Sequence, residues 1–293
     1  MKKIYLKAFV VIFLAGITLF SPQLSSAFSV TYLDPAYNAS QFLTLNDPIA
    51  SIAFDSNMNL YTEKTAYFGT GTAIIDKLAA ATAYTTSSTF SSYPTSARGI
   101  NGLSFYQGGG ILLASEFNAS LNSGSITTIS STGSKISTLN LPNFRPTGMT
   151  NDSVGNIFFP VRLDSTPGFG DIYKIDTNGT MTLLVSGFVG TGIAYYSGNL
   201  FVSTAAGVDP NHIDNSIYKI NIGTGTETLF ATFDKTIEEL TFDKWGNLYA
   251  IDVVSGTQPT TIIEISPVPE PSTMLLLGAG LVGLIGFRRK FKK

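Results

Sequence analysis

Asp243-Lys244-Trp245-Gly246-Asn247-Leu248-Tyr249 reads as a tight turn running into a strand. Glycine supplies the positive φ such a corner needs, and the Asp and Asn side chains bond the local backbone. An apolar residue and an aromatic one then begin a buried strand. Asp152-Ser153-Val154-Gly155-Asn156-Ile157-Phe158 repeats the arrangement, and Gly198-Asn199-Leu200-Phe201, Asn59-Leu60-Tyr61 and Gly110-Ile111-Leu112 repeat its second half. The first apolar residue after the turn falls at Leu60, Ile111, Ile157, Leu200 and Leu248, in steps of 51, 46, 43 and 48 residues.

Working outward from the turn, each copy shows a strand before it, from Ile49, Ile100, Pro146, Gly190 and Ile237 onward. A third strand follows, clearest in Ile172-Tyr173-Lys174-Ile175, Ile217-Tyr218-Lys219-Ile220 and Ile262-Ile263-Glu264-Ile265. A fourth is read at Thr182-Leu183-Leu184-Val185 and Glu227-Thr228-Leu229-Phe230. A four-stranded antiparallel meander repeated every forty to fifty residues is the signature of a β-propeller blade. The fold class expected is all-β, with no helix longer than two turns between Phe28 and Pro267. The fifth copy runs out before its fourth strand. Either Val30-Thr31-Tyr32-Leu33 or Gln41-Phe42-Leu43-Thr44-Leu45 can supply that strand and close the ring, removing an open edge. Five blades are expected, with six as the alternative if the N-terminal segment pairs elsewhere. The repeats resemble NHL-type and lactonase-type propellers over about residues 28–266.

Both ends carry targeting signals. In residues 1–27, Lys2, Lys3 and Lys7 precede an apolar run from Ala8 to Phe20, and Ser25-Ser26-Ala27 offers small residues for cleavage, as in a secretory signal peptide. Residues 267–293 hold a proline-rich stretch with Val268, Pro269, Glu270 and Pro271, then an apolar segment from Met274 to Phe287. Arg288, Arg289, Lys290, Lys292 and Lys293 follow as a stop and orientation signal. The apolar segment is short for a span of about twenty residues, and the flanking cations are what mark it as a transmembrane helix. Triplet, apolar segment and terminal cations, in that order, resemble the PEP-CTERM sorting signal. The resemblance implies a membrane protease, exosortase, as a processing partner, beside the signal peptidase that Ser25-Ser26-Ala27 calls for. It also implies export through the inner membrane, a transient anchor, and a final place in the cell envelope or outside it.

Eight of the eighteen basic residues sit in these ends, which leaves ten against nineteen acids between Asp34 and Glu264. A middle domain this acidic repels phosphate backbones, so no nucleic acid is expected as a partner. The chain has no cysteine, which excludes disulfides and thiolate metal sites.

Chemistry is harder to find. The only histidine, His212, stands in a polar loop with Asp209 and Asp214; a surface histidine beside turn-forming aspartates is the expectation. No catalytic set is visible. Position by position, the second residue of each first strand is Ala50, Asn101, Thr147, Thr191 and Glu238, and Glu239 stands where other copies have Gly or Ser. In a propeller these residues line the central channel. The lactonase resemblance implies a divalent cation there on Glu, Asn and Asp oxygens. Here Glu238 and Asn101 fit that role for Ca²⁺, while a hydrated polar channel without a metal or cofactor is the other reading. The expected function is an exosortase-sorted envelope or matrix protein. Its propeller would bind polysaccharide or a matrix protein, or serve structurally, in an exopolysaccharide or biofilm setting. The alternative is a metal-dependent, lactonase-like hydrolase.

Overall fold

The computed structural model describes residues 28–63, 71–95, 99–106, 111–118, 123–162, 170–207, 209–252 and 259–268. The expected signal peptide (residues 1–27), Pro269, Glu270 and Pro271, the apolar segment and the terminal cations lie outside them.

Two strands, β1 (Val30–Leu33) and β2 (Tyr37–Leu45), precede the first repeat. The first blade is β3 (Ile52–Phe54), β4 (Leu60–Glu63), β5 (Gly71–Leu78) and β6 (Ser87–Thr95). A single 3₁₀ turn, Ala80–Thr82, interrupts it. The second blade is β7 (Ile100–Tyr106), β8 (Ile111–Asn118), β9 (Ser123–Ile129) and β10 (Lys135–Pro142). The third is β11 (Thr150–Asn151), β12 (Ile157–Arg162), β13 (Gly170–Ile175) and β14 (Met181–Ser186). The fourth is β15 (Ile193–Tyr196), β16 (Asn199–Ser203), β17 (Ser216–Asn221) and β18 (Glu227–Phe233). The fifth holds β19 (Ile237–Phe242), β20 (Leu248–Asp252) and β21 (Thr260–Pro267).

The described residues thus make five antiparallel sheets. The ring closes as the sequence leads one to expect, with the innermost strands β3, β7, β11, β15 and β19 each touching the next and β19 returning to β3. β2 completes the fifth blade by pairing with β21 from Tyr37 opposite Pro267 to Leu45 opposite Thr260. β1 does something the repeat pattern does not disclose. It pairs with β18 and widens the fourth blade to five strands. The N-terminal segment therefore ties two neighbouring blades together, and the six-blade alternative falls.

Each blade hides its apolar faces against its neighbours, which is why the aromatic after the turn, or Leu112 in the second blade, is buried. Tyr61 packs with Ile100 and Leu112 between the first and second blades. Leu113 and Ile126 meet Phe159 and Val161 between the second and third. Phe158 meets Ile193 and Leu200 between the third and fourth. Phe201 and Phe230 meet Leu240 and Leu248 between the fourth and fifth. Tyr249 and Ile262 close the circle on Ile52 and Leu60. Five seams replace a single core, so each blade is stabilised by its neighbours.

The turns work as their composition demands. Asp243 Oδ1 accepts the amides of Trp245 at 2.8 Å and Asn247 at 2.9 Å, and its Oδ2 accepts the Asn247 side-chain amide at 2.8 Å. Asp152 repeats this with Val154, Gly155 and Asn156, and Asp55 with Asn57 and Asn59. Gly246 has φ +88° and Gly155 φ +103°, the left-handed region that glycine enters without a Cβ clash. Met58 holds the corresponding corner of the first blade at φ 66°.

Candidate functional site

The first strands of all five blades converge on the axis, and a cavity of about 110 Å³ opens among them. Its walls include Ala50, Asn101, Thr147, Thr191 and Glu238, so the structure brings together all five positions picked out by repeat alignment. Glu239, Arg145 and Arg162 also line it. The two arginines escaped sequence reasoning because they have no counterpart in the other copies. The one signal available was their place beside strands already assigned to the channel.

The channel positions also stitch blade to blade. The Asn101 side-chain amide donates to Pro146 O at 3.4 Å, the Thr147 hydroxyl to Gly190 O at 2.7 Å, and the Thr191 hydroxyl to Ile237 O at 3.1 Å. In each case the acceptor is the carbonyl just before the equivalent residue of the next blade. The Ser203 hydroxyl adds a bond to Glu238 O at 3.0 Å. Ala50 has no side-chain donor for such a bond, and an ionised Glu238 has none either. Those two positions flank the seam where the ring closes.

Electrostatically the floor is dominated by two adjacent carboxyls. Burial pushes Glu238 up to about 7. Glu239 is fully buried and held well above the usual carboxylate range, by burial first and also by the charge of Glu238. The backbone amides of Leu240 and Ile193 pull the other way. Neither Glu239 oxygen completes a hydrogen bond of ordinary length and angle among the described residues. Glycines give this side chain its room: a Cβ on Gly148 would lie 3.1 Å from Glu239 Oε2, and one on Gly192 would meet Glu238 O at 2.0 Å. The third and fourth copies thus have no space for a larger residue at the position that Glu239 holds in the fifth.

A Ca²⁺ ion asks for six to eight oxygen ligands. Here Asn101, whose Nδ2 is bonded to Pro146 O, offers one amide oxygen, and Glu238 and Glu239 share the walls with two guanidinium groups. Among the described residues no group of three or more His, Cys, Asp or Glu is placed to hold a metal ion. This donor set fits a dication poorly. Guanidinium groups, an amide, hydroxyls and carboxyls give the cavity both hydrogen-bond donors and acceptors.

His212 is not the solvated loop residue its surroundings suggest. Its ring packs on Phe188 at 4.2 Å between centroids and edge-on to Tyr218 at 4.8 Å. Nδ1 lies 2.8 Å from Asp209 Oδ2, and Nε2 lies 3.1 Å from Glu227 Oε2. Asp209 is itself buried and accepts the amides of Val189 and Asn211, both at 2.9 Å. Asp214 accepts the Gly207 amide at 2.9 Å. The cluster braces a long loop. Asp209, His212, Asp214 and Glu227 do not line the channel cavity, but Val189, whose amide Asp209 accepts, does.

Residues 267–290 match the PEP-CTERM protein-sorting motif. No curated protein sequence matches the chain. Among solved structures, a glucose dehydrogenase aligns at TM-score 0.50 and 12% identity, over 79% of this chain and 100% of its own. A putative oxidoreductase (glucose dehydrogenase) from Thermus thermophilus aligns at 0.47 and 11%, over 78% and 99%. The β-propeller domain of the Trilobed protease from Pyrococcus furiosus aligns at 0.41 and 13%, over 75% and 68%. At these identities the likeness is one of fold. The sorting motif implies export, a membrane-anchored step and processing by exosortase. The chain is a PEP-CTERM-sorted exported protein built on a five-bladed β-propeller.

Proposed function

We propose that the propeller is a binding module of the extracellular matrix or envelope, and that it takes a polyhydroxylated ligand, a segment of exopolysaccharide, at the mouth of its channel. The observation that carries this reading is the convergence of Asn101, Thr147, Thr191, Glu238, Arg145 and Arg162 on one small polar cavity. Sugars are recognised by planar polar side chains that satisfy paired hydroxyls, and acidic sugars by arginine forks. Carboxyls held toward their neutral form can donate as well as accept.

A hydrolytic role is the second reading, and one feature favours it. A carboxyl titrating near pH 7, as Glu238 does, is poised for proton transfer.

The test is a glycan array probed with the chain and with Glu238→Gln and Arg145→Ala variants, with lactone hydrolysis assayed on the same samples. Binding of an exopolysaccharide fragment that both substitutions weaken is the expected result. Absence of any glycan binding, or lactone turnover abolished by Glu238→Gln, would reject the binding reading.

A further inference from the structure

The tail leaves the propeller on the face opposite the cavity mouth. β20 climbs away from the 243–247 turn, with Leu248 next to that turn and Asp252 at the far end, opposite Ile237 where the channel strand begins. β21 descends again, pairing Ile265 with Leu248, so Pro267 emerges level with the turns. The Val268 amide donates to Ala36 O at 2.8 Å and pins the exit there. Five residues, 269–273, separate this point from the apolar segment that begins at Met274. Fully extended, they reach about 17 Å.

A bilayer holding that segment is thus close to the turn face, and the face has a matching character. Trp245 stands at the tip of the fifth-blade turn with 62% of its surface exposed, and Val154 at the equivalent turn of the third blade with 65%. Lys244 Nζ sits 4.7 Å from the Trp245 ring centroid and donates to Ser56 O in the first-blade turn at 3.0 Å. The carboxylates of these turns, Asp55, Asp152 and Asp243, point inward to their own backbone amides and are buried. Asp34 and Asp176, also on this side, are likewise bonded to amides of their own turns. What projects outward at these tips is a tryptophan, a valine and a lysine, with the uncharged Ser56, Asn57 and Ser153 beside them. Indole rings favour the headgroup level of a membrane, and an ammonium group favours lipid phosphate.

We infer that the turn face is a membrane-docking surface, on which Trp245, Lys244 and Val154 rest against phospholipid headgroups while the tail is still attached. The channel mouth then faces away from the bilayer. Removal of the tail takes away the tether that keeps the face there. This inference depends on the tail lying in the membrane and not on what the channel binds.

Trp245 is the only tryptophan of the chain, so its emission reports this face without a label. The full chain is reconstituted into nanodiscs of phosphatidylethanolamine and phosphatidylglycerol, with or without lipids brominated high on the acyl chain, after flotation has verified membrane association. A Trp245→Phe, Ile213→Trp double variant moves the probe to an exposed loop on the cavity side. Quenching of Trp245 by the brominated lipid, with the Ile213→Trp probe unquenched and open to acrylamide, is the expected outcome. Equal quenching of both probes, no quenching of Trp245, or a chain that fails to float would each overturn the inference. A blue shift of Trp245 without bromolipid quenching would place a second copy of the chain on this face and would overturn it too.

Discussion

The Tyr196 ring lies over Gly246, so closely that a Cβ on that glycine would fall 2.4 Å from the tyrosine hydroxyl oxygen. Tyr196 ends the first strand of the fourth blade, and Gly246 turns the corner of the fifth. Tyr106 and Gly155 repeat the relationship between the second and third blades, at 2.2 Å. A residue chosen for its turn is therefore also chosen for the neighbouring blade. Gly246→Ala meets two penalties, positive φ and the collision with Tyr196. Gly179, with φ +82° and nothing within 4 Å of its added Cβ, meets only the first. Denaturant unfolding should show a loss of about 1 kcal/mol for Gly179→Ala and roughly 2–3 kcal/mol for Gly246→Ala. Equal losses would show that the neighbouring blade yields freely.

Ring closure rests on β2 more than on β1. Phe42 on β2 packs edge-on against Tyr249 at 4.9 Å and Tyr84 at 5.2 Å, across the seam between the last blade and the first. Phe42→Ala should cost about 3 kcal/mol. A chain beginning at Asp34 should keep a cooperative thermal transition, lowered by a few degrees, because β1 only widens the fourth blade. A chain beginning at Asp47 should lose the transition altogether. If the two truncations behave alike, β2 is not the closing strand.

Glu238 and Glu239 hold their protons more firmly in the folded chain than in the unfolded one. Their contribution to stability is complete below the usual carboxylate value of 4.5 and drains as pH rises, through about 7 in the case of Glu238. Glu238→Gln should raise stability at pH 8 by on the order of 3 kcal/mol and change little at pH 4. Glu239→Gln should move in the same direction. Denaturation midpoints measured across this range check the sign. A variant less stable than the parent at pH 8 would mean that an ionised carboxylate is favoured in the channel.

Asp209 holds three donors at once, and His212 is only one of them. Asp209→Ala leaves the buried Val189 amide without its acceptor and should cost about 3 kcal/mol. His212→Ala should cost about 1–2 kcal/mol, through lost packing on Phe188 and two lost polar contacts. The double variant should cost less than the two single losses together, since they share the 2.8 Å contact. Strict additivity would argue that the imidazole and the carboxylate act separately.

Pro269, Glu270 and Pro271 fall within the matched sorting motif. Replacing all three with alanine should leave export intact and block removal of the tail in a host that carries exosortase. Mass spectrometry and membrane fractionation should then find the chain membrane-bound and intact through Lys293. If parent and variant both keep the tail, the apolar segment is a permanent anchor.

Much of this protein is written in short stretches of its sequence. Asp-x-x-Gly-Asn specifies its turn because the donors and acceptors lie within four residues of one another. The recurrence of that turn specifies blades, and register within a blade then sends Ala50, Asn101, Thr147, Thr191 and Glu238 to the axis. The export and sorting signals are equally local, each one a run of charge, apolarity and proline. Other features exist only once the ring has closed. Arg145 and Arg162 reach the cavity from places the repeat does not mark. β1 finds an edge on β18, about two hundred residues away in the chain. His212 meets Glu227, and Tyr196 covers Gly246, across connections whose path no local pattern records. The placement of the tail opposite the channel mouth follows from the direction of the last strand, which the number of strands in a closed antiparallel ring decides. Local hydrogen-bond chemistry is legible in neighbouring residues, whereas contacts between blades depend on a geometry that only the assembled ring supplies.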